Sequence, residues 1–266
     1  MTTLPDERLE TPSQPPPIFV PALTALFLDL DGALAPIEPT PDAVRPDARR
    51  TRILRRLVDR LDGRVAVLSG REIAEVDRIL EGSVTAVAGM HGLQRRDTRG
   101  RTFHTPPHPA LAEAAETLAL LARADRGLLL ERKGASVALH YRAKPDAGPA
   151  VIDCARRIAR QSGLVLQEGR MVAELRTPGP DKGVALGAFM SEKLFSGTAP
   201  MMIGDDLTDE DAFAAADLLG GDGILIGDPR PSRARWRLAG PEALLDWLED
   251  QLPAPGHAAL AEEARP

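Results

Sequence analysis

The sequence contains a single cysteine, Cys154, which rules out an internal disulfide and any cysteine-based metal site. Cys154 falls on the apolar positions of an expected helix, as a small core residue does. No apolar run reaches the length of a membrane span. The N-terminus lacks the basic-then-apolar pattern of a signal peptide, so a cytoplasmic protein is expected. Positive charge is not in excess: 33 Lys and Arg stand against 39 Asp and Glu, a net charge of −6, which argues against nucleic acid as the main partner. There is no internal repeat. What remains is 266 residues of ordinary apolar content, enough for one large domain or two of usual size.

The chain is organised around Ala25-Leu26-Phe27-Leu28-Asp29-Leu30-Asp31-Gly32, an apolar run that ends in two acids one residue apart. Such a run fits a buried parallel strand, roughly 24–30, and Gly32 allows a tight exit. Before it, residues 1–20 are rich in Pro and polar residues and read as a disordered tail. After it the spacing predicts a helix over 46–61, a strand over 64–68 and a helix carrying Ile73, Val76, Ile79 and Leu80. A third strand follows over 84–88, closed by Gly89-Met90-His91-Gly92. This alternation is that of a parallel, doubly wound sheet.

The rhythm changes near Pro106. A helix over 110–124, a hairpin over 127–142 turning at Gly134, a helix over 148–161 and a hairpin over 164–176 around Gly169 form an α+β pattern. It reads as a second domain, 104–177, inserted into a discontinuous core of 21–103 and 178–252. The core rhythm resumes with a helix from Asp181-Lys182-Gly183 to about Leu194, and a strand over 200–203 ending in Gly204-Asp205-Asp206. A short helix, a strand over 223–226 and a closing helix over 241–252 follow. Residues 253–266 read as a C-terminal tail.

Four polar groups therefore fall just after a core strand or at the mouth of a helix: Asp29 with Asp31, Ser69, Lys182, and Asp205 with Asp206. In a parallel sheet the strand ends share one edge, so these groups converge. Crowded carboxylates repel unless a cation joins them, and oxygen ligands without His or Cys suit Mg²⁺. Ser69 and Lys182 supply a neutral donor and a fixed positive charge for phosphate oxygens. The chemistry this allows is phosphoryl transfer to a carboxylate, with Asp29 as nucleophile and Asp31 as acid/base.

Asp29-Leu30-Asp31-Gly32, Ser69, Lys182 and Gly204-Asp205-Asp206 together resemble the haloacid dehalogenase (HAD) superfamily of phosphatases. More narrowly, the chain is similar to the trehalose-6-phosphate phosphatases over about 26–252. The selective marks are Glu131-Arg132-Lys133-Gly134 with His140-Tyr141-Arg142, Glu174-Leu175-Arg176, and Gly204-Asp205-Asp206-Leu207-Thr208-Asp209-Glu210. The resemblance implies an α/β fold: a Rossmann-like HAD core with a parallel sheet, carrying a C2-type cap of two helices on an antiparallel sheet. It implies Mg²⁺ bound by Asp29, by the backbone carbonyl of Asp31 and by Asp205, with Asp206 and Asp209 in or next to the shell. Ser69 and Lys182 would hold the phosphoryl group, and Glu131, Lys133 and Glu174 of the cap would bind sugar hydroxyls, with Arg142 a weaker candidate. The implied substrate is the small molecule trehalose 6-phosphate, with a functional link to trehalose-6-phosphate synthase and no nucleic-acid or membrane partner. One position departs from the family: Ala33 stands where Thr is usual, which removes a hydroxyl but no proposed catalytic group.

Period-two counting supports the cap assignment independently. Glu131 and Lys133 share one strand face, Glu174 shares another with Arg176 and Arg170, and the opposite faces carry Leu130, Met171, Ala173 and Leu175. His140 and Tyr141 are left out of the site. Other readings are the same chemistry on sucrose 6-phosphate or a glucosyl-glycerol ester, a phospho-accepting signalling domain, and a catalytically silent sugar-phosphate binder.

Overall fold

A computed structural model describes residues 11–253 except Arg170. The opening apolar run forms β1 (Thr24–Leu28), buried at all five positions. It pairs in parallel with β2 (Val65–Leu68) on one side and β10 (Ala199–Gly204) on the other. β3 (Ala86–Gly89) continues the parallel sheet beyond β2, while β11 (Asp222–Ile226) and β12 (Trp236–Leu238) continue it beyond β10. Two short antiparallel strands, β4 (Gln94–Arg96) and β5 (Thr102–His104), extend the β3 edge. The order is β12-β11-β10-β1-β2-β3-β4-β5.

Alternation along β1 sorts the core into two layers. Leu26 and Leu28 face Ile53, Leu54 and Leu57 of α1 (Ala48–Arg60), Val76 and Ile79 of α2 (Ile73–Leu80), and Leu244 and Leu248 of α7 (Pro241–Asp250). Ala25 and Phe27 face Leu186 and Phe189 of α5 (Lys182–Met190) and Phe213 of α6 (Glu210–Leu218). Helices thus cover both faces of a mostly parallel sheet.

A separate antiparallel sheet comprises β6 (Leu129–Arg132), β7 (Ser136–His140), β8 (Val165–Gly169) and β9 (Val172–Arg176), in the order β6-β7-β9-β8. Val137, Leu139, Ala173 and Leu175 on one face pack against α3 (Leu111–Ala124) and α4 (Gly148–Ser162) through Leu118, Val151 and Ala155. The architecture is α/β, a mostly parallel core sheet beside a second, antiparallel sheet with two helices on one face. Among the described residues no helix is long and apolar enough to cross a membrane.

Three features depart from the sequence reading. Of the expected tail, residues 1–10 lie outside the described residues, as do 254–266 at the other end. Residues 11–20, however, pack on the core: Phe19 is buried, meets Trp247 edge-on at 5.8 Å, and donates its backbone N–H to Gln251 Oε1. The Gln14 carbonyl accepts from the Arg237 N–H of β12, so the proline-rich stretch is an ordered strap over that edge. β4, β5 and β12 had no alternation to announce them, and β1 stops two residues early because the chain turns at Asp29.

Candidate active site

Asp29 leaves β1 with its N–H still in the ladder, donating to Ile203 O at 2.8 Å. The chain then folds back, Gly32 N–H donating to Ala35 O and Ala35 N–H to Leu30 O. Gly32 adopts φ +86°, and a Cβ placed there would fall 2.0 Å from Asp205 Oδ2. Only glycine therefore lets the loop after β1 lie against the loop after β10.

Lys182 opens α5 behind the N-cap Asp181 and is buried. Its ammonium donates to Asp29 Oδ1 at 2.9 Å and to Asp209 Oδ1 at 2.6 Å. The other oxygen of Asp209 accepts the N–H groups of Asp205 and Asp206, at 2.9 and 3.0 Å. Asp209 is thus spent on shaping the Gly204-Asp205-Asp206 turn and steadying Lys182. Asp205 Oδ1 is buried with no hydrogen-bond partner. Oxygens of Asp29, Asp205 and Asp209 lie within 4.8 Å of one another, and they are the one group of three or more acidic, His or Cys residues so placed among the described residues.

Three acids crowd together and one ammonium binds two of them, and the electrostatics follow. Burial raises the Asp29 carboxyl well above its ordinary range against the pull of Lys182, with Asp209 and Asp205 adding to the rise. Burial and then Asp209 and Asp206 push Asp205 up to about 7. Burial would lower the Lys182 ammonium, but Asp209 and Asp29 outweigh it and hold it well above its ordinary value. An orphaned buried oxygen beside mutually repelling carboxylates is a donor set that fits a hard divalent cation.

The remaining core residues differ in their surroundings. Asp31 is gripped by Arg71 through both oxygens, Nε to Oδ2 at 2.7 Å and Nη2 to Oδ1 at 2.8 Å, while Arg71 also binds Glu75. Ser69 is fully buried at the end of β2, its Oγ accepting from the Arg71 N–H at 3.1 Å. Asp206 caps the following turn, Oδ1 accepting from Leu207 N–H.

Across from these groups stands the polar face of the second sheet. Its register aligns Glu131, Ala138, Glu174 and Gln167 in one row over four strands. Lys133, one residue beyond β6, places its ammonium 3.7 Å from Glu131 and 3.6 Å from Glu174. Burial would raise the Glu174 carboxyl, yet Lys133, His91 and Ser136 hold it well below its ordinary value. Glu131 is lowered too, since His140 and Lys133 overcome its burial. A cavity of about 260 Å³ lies between the layers, lined by Asp29, Asp31, Lys182, Asp205 and Asp206 below and by Glu131, Lys133, Glu174 and Arg142 above. All four expected sugar-binding residues therefore line the same cavity as Asp29, Asp31, Asp205 and Asp206. Arg142 also reaches across to the Glu38 carbonyl. Arg170 lies outside the described residues.

Sequence reasoning passed over three lining residues: Arg71, His91 and His140. His140 joins Glu131 at 2.9 Å, a diagonal neighbour that period-two counting from Glu131 would have reached. Tyr141 instead is packed in the apolar layer of the second sheet. His91 bridges the layers, 2.8 Å from Gln167 Nε2 and 3.5 Å from Glu174. It stands with Met90 in left-handed backbone, φ +55° and +51°, and this local strain is not legible in residue type.

A family model described as trehalose-phosphatase matches residues 27–239. The chain is 40% identical over 228 residues to the trehalose-6-phosphate phosphatase of Escherichia coli K12, covering 85% of each. Among solved structures, it is similar to a trehalose-6-phosphate phosphatase related protein with a TM-score of 0.72 and 26% identity, over 90% of this chain and 99% of that one. A haloacid dehalogenase-like hydrolase from Bacteroides thetaiotaomicron shares the fold, with a TM-score of 0.62 at 15% identity over 86% and 99% of the two chains.

Proposed function

The chain belongs to the trehalose-phosphatase family, and on that footing we propose that it hydrolyses trehalose 6-phosphate to trehalose and phosphate. The observation that carries the reading is the single cavity in which Glu131, Lys133 and Glu174 look onto Asp29, Lys182 and Asp205. One end suits a phosphoryl group, the other a sugar with many hydroxyls. A phospho-accepting signalling domain has no use for the second end.

In this reading Asp29 is the nucleophile. Lys182 fixes its carboxylate through Oδ1 and so orients it for attack on phosphorus. The bond from phosphorus to the sugar oxygen breaks as Asp31 gives that oxygen a proton. Water then attacks the aspartyl-phosphate, Asp31 takes its proton, and phosphate departs with Asp29 restored. Arg71 occupies both oxygens of Asp31, so Asp31 must leave that fork to donate. Ser69 and Lys182 steady the transferring group. Mg²⁺ fits the free oxygens of Asp29 and Asp205 with the Asp31 carbonyl, and bound there it would neutralise charge on the phosphoryl oxygens. Asp209, whose oxygens are already engaged, and Asp206 support this shell.

The cap, assigned to 104–177, excludes water when closed and selects the disaccharide through Glu131, Lys133, Glu174 and Arg142. The same reading puts the enzyme in the cytoplasm, after the synthase that makes its substrate. The test is phosphate release with Mg²⁺ from trehalose 6-phosphate and a small phosphate ester. Asp29→Asn should abolish both, whereas Glu131→Ala should impair the sugar ester far more than the small one. Full activity in Asp29→Asn refutes the mechanism, and equal losses in Glu131→Ala refute the sugar-binding role.

A further inference from the structure

Glu72 occupies the N-cap of α2 without capping it. The first helical N–H, that of Ile73, donates instead to Gln94 Oε1 at 3.1 Å. The Glu72 carboxylate turns away from its own helix and accepts the backbone N–H of Gly134, in the second sheet's first hairpin, at 2.9 Å. Gly134 directly follows Lys133, whose ammonium donates to Gly70 O at 3.2 Å. The loop at 70–72 therefore holds the turn at 133–134 by two points, one through the lysine side chain and one through the backbone.

We infer that Glu72 is a positioning residue for Lys133, an inference that rests on the cavity being a sugar-phosphate site. Lys133 is buried between Glu131 and Glu174, and its ammonium donates to Gly70 O with further N–H groups left for a ligand hydroxyl. Where the turn at 133–134 sits therefore decides where that ammonium stands in the cavity. A carboxylate accepting from a backbone N–H is a charge-assisted bond independent of the ammonium. Glu72 thus holds the turn, and with it the Lys133 ammonium, at the cavity through a bond that no ligand contact uses. The geometry accounts for a helix N-cap acid whose side chain makes no capping bond and reaches the second sheet instead.

The test compares wild type, Glu72→Ala and Glu72→Gln on trehalose 6-phosphate and on p-nitrophenyl phosphate. Glu72→Ala should raise KM for the sugar ester about tenfold, as loss of one charge-assisted bond implies, with kcat and small-ester turnover little changed. Glu72→Gln keeps an acceptor oxygen and should stay near wild type. In a Lys133→Ala background, Glu72→Ala should add no further loss. Amide exchange at Gly134 should quicken in Glu72→Ala but not in Glu72→Gln, a readout independent of turnover. A wild type without preference for trehalose 6-phosphate overturns the functional reading and this inference with it. A wild type that prefers it, alongside a Glu72→Ala protein with unchanged KM or additive loss over Lys133→Ala, overturns this inference alone.

Discussion

Replacing Lys182 by Met keeps the buried stem and deletes the one ammonium shared by Asp29 and Asp209. At an effective dielectric of about 20, contacts of 2.9 and 2.6 Å are each worth about 6 kcal/mol before desolvation is counted. Burial of the ions offsets most of that, and removing one partner of a buried pair costs about 3–5 kcal/mol net. We expect Lys182→Met to lose that much at pH 8, measured by guanidinium unfolding with chelator present. The pH dependence follows from the carboxyls. Asp29 is already raised above its unfolded value, and without Lys182 it rises further. An acid whose folded pKa is raised destabilises the fold as pH climbs from the unfolded value through the folded one. The deficit should therefore shrink at pH 5.5, where the acids take up protons. A loss under about 1 kcal/mol at pH 8, or an equal loss at both pH values, would refute the shared-ammonium account.

Other outcomes are equally specific. Gly32→Ala should cost about 1–2 kcal/mol for its left-handed backbone, yet weaken Mg²⁺ binding by calorimetry disproportionately, because the new Cβ displaces the Asp205 carboxylate. Phe19→Ala should destabilise the protein by about 3 kcal/mol in the same unfolding assay, since the strap loses its aromatic plug against Trp247. Glu174→Gln should be destabilising at pH 7, with the gap to wild type narrowing in acid. Glu174 is held well below its ordinary carboxyl value, so its stabilisation is fully present above that value and fades as pH falls below it. Melting temperatures at pH 7 and pH 4 check the sign.

Much of this was readable because buried strands announce themselves. The four-residue apolar run Ala25–Leu28 marks a buried strand, and Asp29, Lys182 and Asp205 do meet at one sheet edge. Helical spacing located α1, α2, α3, α4 and α7 for the same reason: their apolar stripes are set by one core face. The hairpin of β4 and β5 was silent because its residues are polar and its geometry is tertiary. Asp97 gathers the N–H groups of Arg99 and Arg101, and the Arg95 guanidinium sits over Phe103 at 4.9 Å and Phe189 at 5.3 Å. The strap over 11–20 has a composition typical of disorder, and one buried aromatic outweighs it. Asp209 was expected in or next to the metal shell and does stand beside Asp29 and Asp205, but its bonds to Lys182 and to the Asp205 and Asp206 N–H groups are a matter of rotamer and neighbour. Arg71 was in view beside Ser69, while its fork on Asp31 depends on a fold that brings positions 31 and 71 together.

The central claim is that one cavity pairs phosphoryl chemistry with recognition of a disaccharide. Its most direct test is the ratio of kcat/KM for trehalose 6-phosphate to that for glucose 6-phosphate in the wild-type protein with Mg²⁺. Two or more charge-assisted bonds from Glu131, Lys133 and Glu174 to the second sugar predict a ratio of at least about 100. A ratio near one would contradict the account.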